Sequence, residues 1–119
     1  MSRLRLWKGQ RAESQAEQHL SGQGLHLIER NYRCRMGELD LIMRDGAVLV
    51  FVEVRCRAHA RYGSGADSVD LRKRRKLARA AAHYLQNRRL DLPCRFDVVS
   101  INGAGALDWI PQAFSLNDT

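Results

Sequence analysis

Residues Met36 to Arg57, MGELDLIMRDGAVLVFVEVRCR, leave the chain little choice of local structure. Leu39, Leu41 and Met43 alternate with Glu38, Asp40 and Ile42, the two-residue period of a strand. Val48 to Val54 follow as a nearly unbroken β-branched and aromatic run, and Arg44-Asp45-Gly46-Ala47 between the two runs reads as a turn. An Asp-Gly pair in such a place favours a short hairpin, because Gly supplies the positive φ the turn needs. With Asp45 and Gly46 as the loop, Arg44 pairs with Ala47 and Asp40 comes opposite Phe51. Side chains alternate across a strand, so Asp40, Phe51, Glu53 and Arg55 share one face. Leu39, Leu41, Val48, Val50, Val52 and Val54 share the other, which is wholly apolar.

Asp40 and Glu53 become diagonal neighbours with a cation beside them. Two carboxylates crowded on a partly buried face raise one another's pKa, and a divalent cation relieves that conflict. Mg²⁺ commonly takes one or two carboxylates together with water and phosphate oxygens. The same residues also fit a plainer arrangement, in which Glu53 pairs with Arg55 or Arg57 at a strand end.

Charge narrows the classes of partner. The 119 residues fit one domain, 1–119, and carry 20 Lys+Arg against 13 Asp+Glu, net +7. Lys8, Lys73 and Lys76 are the only lysines, so arginine supplies most of the positive charge. Arginine makes bidentate contacts with phosphate and stacks on bases, which points towards nucleic acid. Cys34, Cys56 and Cys94 are far apart and the histidines are scattered, so neither a zinc site nor a disulfide framework is expected. The opening MSRLRLWKGQ is basic without a signal-peptide core, and no stretch reaches membrane-spanning length. The expectation is a cytoplasmic protein with no membrane partner.

Residues 1–8 read as a basic N-terminal arm. A helix follows from about Gly9 to Ser21, with Ala12, Ala16 and Leu20 on one stripe and Gly22 and Gly24 at the exit. Glu13 borders that stripe, placed either to lean over what the helix packs on or simply to be solvated. Leu25–Tyr32 reads as a first strand. The Gly-, Ala- and Ser-rich stretch after Arg57 is a loop, 58–66, whose His59, Arg61 and Tyr62 could close over a phosphate backbone or belong to an ordinary connection.

A long helix is expected from about Asp70 to Arg89, capped by Asp67 or Ser68. It holds Arg72, Lys73, Arg74, Arg75, Lys76, Arg79, Arg88 and Arg89 against one Asp. Like charges at i,i+4 cost a helix a few tenths of a kcal/mol per pair, which an acidic partner would relieve. The run is either a solvated face or a phosphate-binding one. Arg57, Arg61, Arg72, Lys73, Lys76 and Arg79 are the candidate nucleic-acid contacts. Cys94–Ile101 and Ala106–Ile110 read as two more strands, the second closed by Pro111, with a loose tail at 115–119. The order is α-β-β-β-α-β-β, an α/β domain with a mixed five-stranded sheet flanked by helices.

G-x-x-A-E-x-x-A-x-x-x-L at Gly9–Leu20, ERNYRCRMGELDLI, LVFVEVR, RFDVV and the closing AF, in that order, resemble the YraN family of uncharacterised bacterial proteins. The likeness covers about residues 9–114. That family is similar to the restriction-endonuclease-like (PD-(D/E)xK) superfamily, which includes archaeal Holliday junction resolvases. The resemblance implies that fold and implies catalytic roles for Glu13, Asp40, Glu53 and Arg55. It further implies Mg²⁺ or Mn²⁺ on Asp40 and Glu53, with Glu13 as a third ligand or water partner. Arg55 stands where the superfamily has lysine. Guanidinium cannot act as a base, but it can clamp a phosphate and leave proton removal to water on the metal.

Two functions follow as expectations. One is a metal-dependent endonuclease acting on DNA phosphodiester bonds. The other is a catalytically weak or silent nucleic-acid-binding accessory protein on a nuclease scaffold. Cutting of branched DNA would require two active sites, hence a homodimer.

Overall fold

The computed structural model describes the backbone of residues 3–57 and 69–115 and the side chains of 10–56 and 69–115. The elements run α1 (Arg3–Gly22), β1 (His26–Cys34), β2 (Gly37–Asp45), β3 (Val48–Arg57), α2 (Leu71–Asn87), β4 (Cys94–Asn102) and β5 (Leu107–Phe114). The five strands form one sheet in sequence order. β3 and β4 are parallel, which obliges the chain to cross over through α2, and the other neighbours are antiparallel. The expected α/β class and element order are therefore those observed.

A helix covers each face of the sheet. Ala12, Ala16 and Leu20 of α1 pack on Leu41, Met43, Val50, Val52, Val99 and Ile101. On the other face Leu77, Ala78, Ala81 and Tyr84 of α2 pack on Ile42, Leu49, Phe51, Phe96 and Val98. Small residues on α1 let its backbone lie close to the valines, while Tyr84 fills the wider gap beneath α2, edge-on to Phe51 with ring centroids 6.0 Å apart.

Four local expectations need correcting. First, the hairpin loop is Gly46-Ala47, since Asp45 pairs with Val48 and Phe51 stands opposite Ile42 rather than Asp40. Gly46 has φ of 61°, and glycine at the first of two loop positions suits a type II′ turn, so it leads the loop instead of following Asp45. Second, Leu39 packs in the α2 cluster with Tyr32, not beside Leu41. The chain switches faces where Asn31 takes a left-handed φ of 52°, between the pairs Arg30↔Leu41 and Tyr32↔Leu39. Third, α1 begins at Arg3, taking in most of the segment read as an arm.

The fourth concerns the ends of α2 and the last strand. Asp70 is the N-cap of α2, its carboxylate accepting from the Lys73 N–H at 2.9 Å; the expected caps Asp67 and Ser68 lie outside the described residues. α2 stops at Asn87, short of Arg89. The Leu90 N–H donates to the Leu85 carbonyl and that of Arg89 to Gln86, a Schellman closure with Arg89 at φ of 53°. β5 continues past Pro111 to Phe114, with Gln112 at φ of 50° in a bulge opposite Asp97. Proline is tolerated there because β5 is an edge strand. Among the described residues no helix is long and apolar enough to cross a membrane.

Candidate active site

The β2–β3 ladder ends at Leu41↔Val52, and one residue further along β2 a side chain takes over. The Val54 N–H donates to Asp40 Oδ2 at 2.8 Å, which fixes the carboxylate against the end of β3. Extending the register by one residue sets Asp40 level with Glu53, closer than the diagonal relation expected from the sequence. The two acids form a pair at the carboxyl-terminal half of β3, one half-buried and one, Glu53, 6% exposed.

Cations reach this pair from two elements. Arg55 Nη1 lies 3.9 Å from Glu53 Oε1, as expected for residues sharing a strand face. Lys73 Nζ, from the first turn of α2, lies 3.7 Å from the same oxygen. Glu53 Oε2 has neither: it is buried and accepts no hydrogen bond. An unsatisfied buried oxygen is costly, and doubly so beside another acid. Accordingly burial, and then Asp40, push the Glu53 carboxyl up to about 8. Burial also pushes Asp40 up, opposed by the Val54 N–H.

Glu13 approaches from α1. Burial, with Asp40 and Glu38 adding like charge, pushes its carboxyl up to about 7. The Asn31 amide, nitrogen towards the acids, donates to Glu13 Oε1 at 2.9 Å and to Glu38 Oε1 at 3.1 Å. One helical turn on, Glu17 grips Arg30 of β1 through two bonds of 2.6 and 2.9 Å, anchoring α1 to the sheet. Glu13 therefore feels Asp40 and Glu38 electrostatically. Among the described residues, however, no three Asp, Glu, His or Cys side chains gather closely enough to form a metal-holding set.

The remaining candidates divide. Arg72, Lys76 and Arg79 are exposed along α2, as a phosphate-binding face requires. The Arg57 side chain, Arg61 and the loop 58–66 lie outside the described residues. Cys56, exposed beside the acids, has its thiol pushed up by burial and then by Asp40 and Glu13, so it is no ready nucleophile.

From the sequence Lys73 reads only as a phosphate contact, and Asn31 and Glu38 carry no sign of the site. A signal for Lys73 was available: a helix returning from a strand towards a parallel neighbour starts above that strand's carboxyl end, where α/β sheets place their sites. Asn31 offered less, since Asn is only one of several residues that tolerate left-handed backbone.

Residues 12–101 match the uncharacterised protein family UPF0102. The chain is 53% identical over 116 residues to a UPF0102 protein of Nitrosospira multiformis, covering 96% of this chain and 97% of that one. It is 54% identical over 109 residues to a UPF0102 protein of Alkalilimnicola ehrlichii, covering 90% and 86%. A UPF0102 protein of Stutzerimonas stutzeri is 53% identical over 111 residues, covering 89% and 92%.

Proposed function

The chain belongs to the uncharacterised family UPF0102, and from its paired acids we propose that it is a nucleic-acid-binding, Mg²⁺-dependent endonuclease acting on DNA. The observation that carries this reading is Glu53 Oε2, a buried carboxylate oxygen without a partner beside a second carboxylate. The resemblance to restriction-endonuclease-like proteins, which runs through the same two acids, agrees with it.

The donor set fits the ion. Asp40 and Glu53 would hold it, and Mg²⁺ is content with two protein carboxylates and water for the rest. When bound, the ion polarises the scissile phosphate and offsets charge growing there. The chain's own groups do the remainder. Val54 keeps Asp40 from swinging away. Arg55, always charged, clamps a phosphate oxygen. Lys73, whose Nζ lies 3.7 Å from Glu53 Oε1, would orient a water beside the acids, the role the resemblance gives to the lysine that β3 lacks. Arg72, Lys76 and Arg79 hold the flanking backbone.

Purified protein should cleave nicked or branched DNA in Mg²⁺ or Mn²⁺. Asp40→Ala should abolish cleavage, and Lys73→Ala should lower it about a hundredfold or more. Equal residual cleavage by wild type and Asp40→Ala would sink the enzymatic reading. The ion pairs from Arg55 and Lys73 onto Glu53 favour a second reading, a silent binding scaffold whose own cations stand in for the metal. It predicts salt-sensitive DNA binding that is indifferent to Mg²⁺ and no calorimetric heat on adding the ion.

A further inference from the structure

A groove of about 520 Å³ lies away from the acid pair, lined by Met36, Arg79, Ala82, His83 and Gln86. It forms where the β1–β2 turn meets α2: a Cβ on Gly37 would stand 3.9 Å from the Lys76 carbonyl. Among the described residues Met36 is one of three large apolar side chains left exposed, at 45%. With Ala82 it provides an apolar surface, while Arg79, His83 and Gln86 supply polar tips around it. His83 is held in place, since its Nδ1 meets the hydroxyl of buried Tyr32 at 2.6 Å. Nε2 is then the ring nitrogen left for a ligand.

The groove is the end of a track. Arg72, Lys76, Arg79 and His83 succeed one another at three- and four-residue steps, so they line one side of α2. Residues Leu71–Asn87 include no Asp or Glu to neutralise them. Lys73, at the acid pair, and His83 are ten residues apart, which is about 15 Å along a helix. A strand with its phosphates on these cations passes from the acids to the groove within a few nucleotides. A surface with apolar cover for a flat ring and donors and acceptors at its edge suits a heteroaromatic base. Paired bases inside a duplex do not present their faces.

We propose that this groove seats one unpaired nucleobase of a nucleic-acid strand whose phosphates lie on Arg72, Lys76 and Arg79. The inference rests on the nucleic-acid reading above and adds to it a substrate class, strands with unpaired bases. Cleavage plays no part in the test. Fluorescence anisotropy in EDTA at low salt would compare a short single-stranded oligonucleotide with an abasic strand of the same length and charge. Wild type should bind the base-bearing strand about tenfold more tightly, the scale of one base stacked on a protein surface.

Met36→Ala and Gln86→Ala, both at exposed positions, should each shrink that preference. Arg72→Ala should weaken both strands alike. Equal wild-type affinity for the two strands would overturn the groove and leave the nucleic-acid reading standing. So would a preference that survives both groove variants. No binding of either strand would overturn both.

Discussion

Two buried acids sit on adjacent, parallel strands, and the protein treats them in opposite ways. Asp97 on β4 is fully buried and fully occupied. It accepts from Arg95 Nε at 3.0 Å and Nη2 at 3.3 Å, from Trp109 Nε1 at 2.9 Å and from the Gln112 N–H at 3.0 Å. Those partners bind β5 to β4 across its bulge, and Arg95 continues to Asp45 at 2.9 Å. Glu53 on β3 is buried with one oxygen unserved. A satisfied buried charge fixes a shape; an unsatisfied one keeps a position ready at the expense of stability. The contrast distinguishes Asp97, whose partners fix a shape, from Glu53, the acid of the proposed site, more sharply than burial or residue type could.

Removing Asp97 is the hardest blow. Asp97→Ala leaves Arg95 Nε and Nη2, the Trp109 indole and the Gln112 N–H without their acceptor and should cost about 3–5 kcal/mol, read by urea denaturation. A loss below 1 kcal/mol would erase the contrast. Glu53→Gln should do the reverse and stabilise the metal-free protein by about 1–3 kcal/mol at pH 9. The sign follows from the raised carboxyl: its favourable contribution is whole below the ordinary pKa of 4.5 and is lost as pH rises through about 8. The gain from glutamine should therefore vanish at pH 4 and grow across that window. A pH-independent effect would mean that packing, not charge, is at work.

Adding Mg²⁺ at pH 8 should stabilise the wild type by on the order of 1 kcal/mol at ten times Kd, and Asp40→Asn not at all. Thermal melts of both proteins read this directly. Arg89→Gly supplies the smallest effect and a control. Glycine removes the left-handed strain at the end of α2 and should add about 0.5–1 kcal/mol, the same at every pH and with or without Mg²⁺. A pH-dependent gain there would show that the melts report something other than the acids.

The hairpin was legible because its β-branched run and glycine turn permit little else. Its register was not, because Gly46 can lead or follow in a two-residue loop, and that choice moves every pair by two. The stripe Ala12, Ala16, Leu20 and the apolar stripe of α2 were readable from period alone. Asp40 and Glu53 could be placed near each other from strand alternation. Lys73 was only half legible: the crossover brings the first turn of α2 over the carboxyl end of β3, but which residue of that turn reaches Glu53 depends on where α2 starts. Leu39 was misplaced for a related reason: one left-handed residue, Asn31, on the neighbouring strand accompanies a switch of side that no two-residue rule foresees.

Both outer strands of the sheet are bent out of true, β1 by a bulge at Ile28 and the turn-like backbone of Asn31, β5 by Pro111 and Gln112. Neither offers the straight row of free amides and carbonyls on which a further strand docks. A second copy of this chain would consequently be joined through helices or loops and not through a continuous ten-stranded sheet. The same bends guard the molecule against edgewise aggregation.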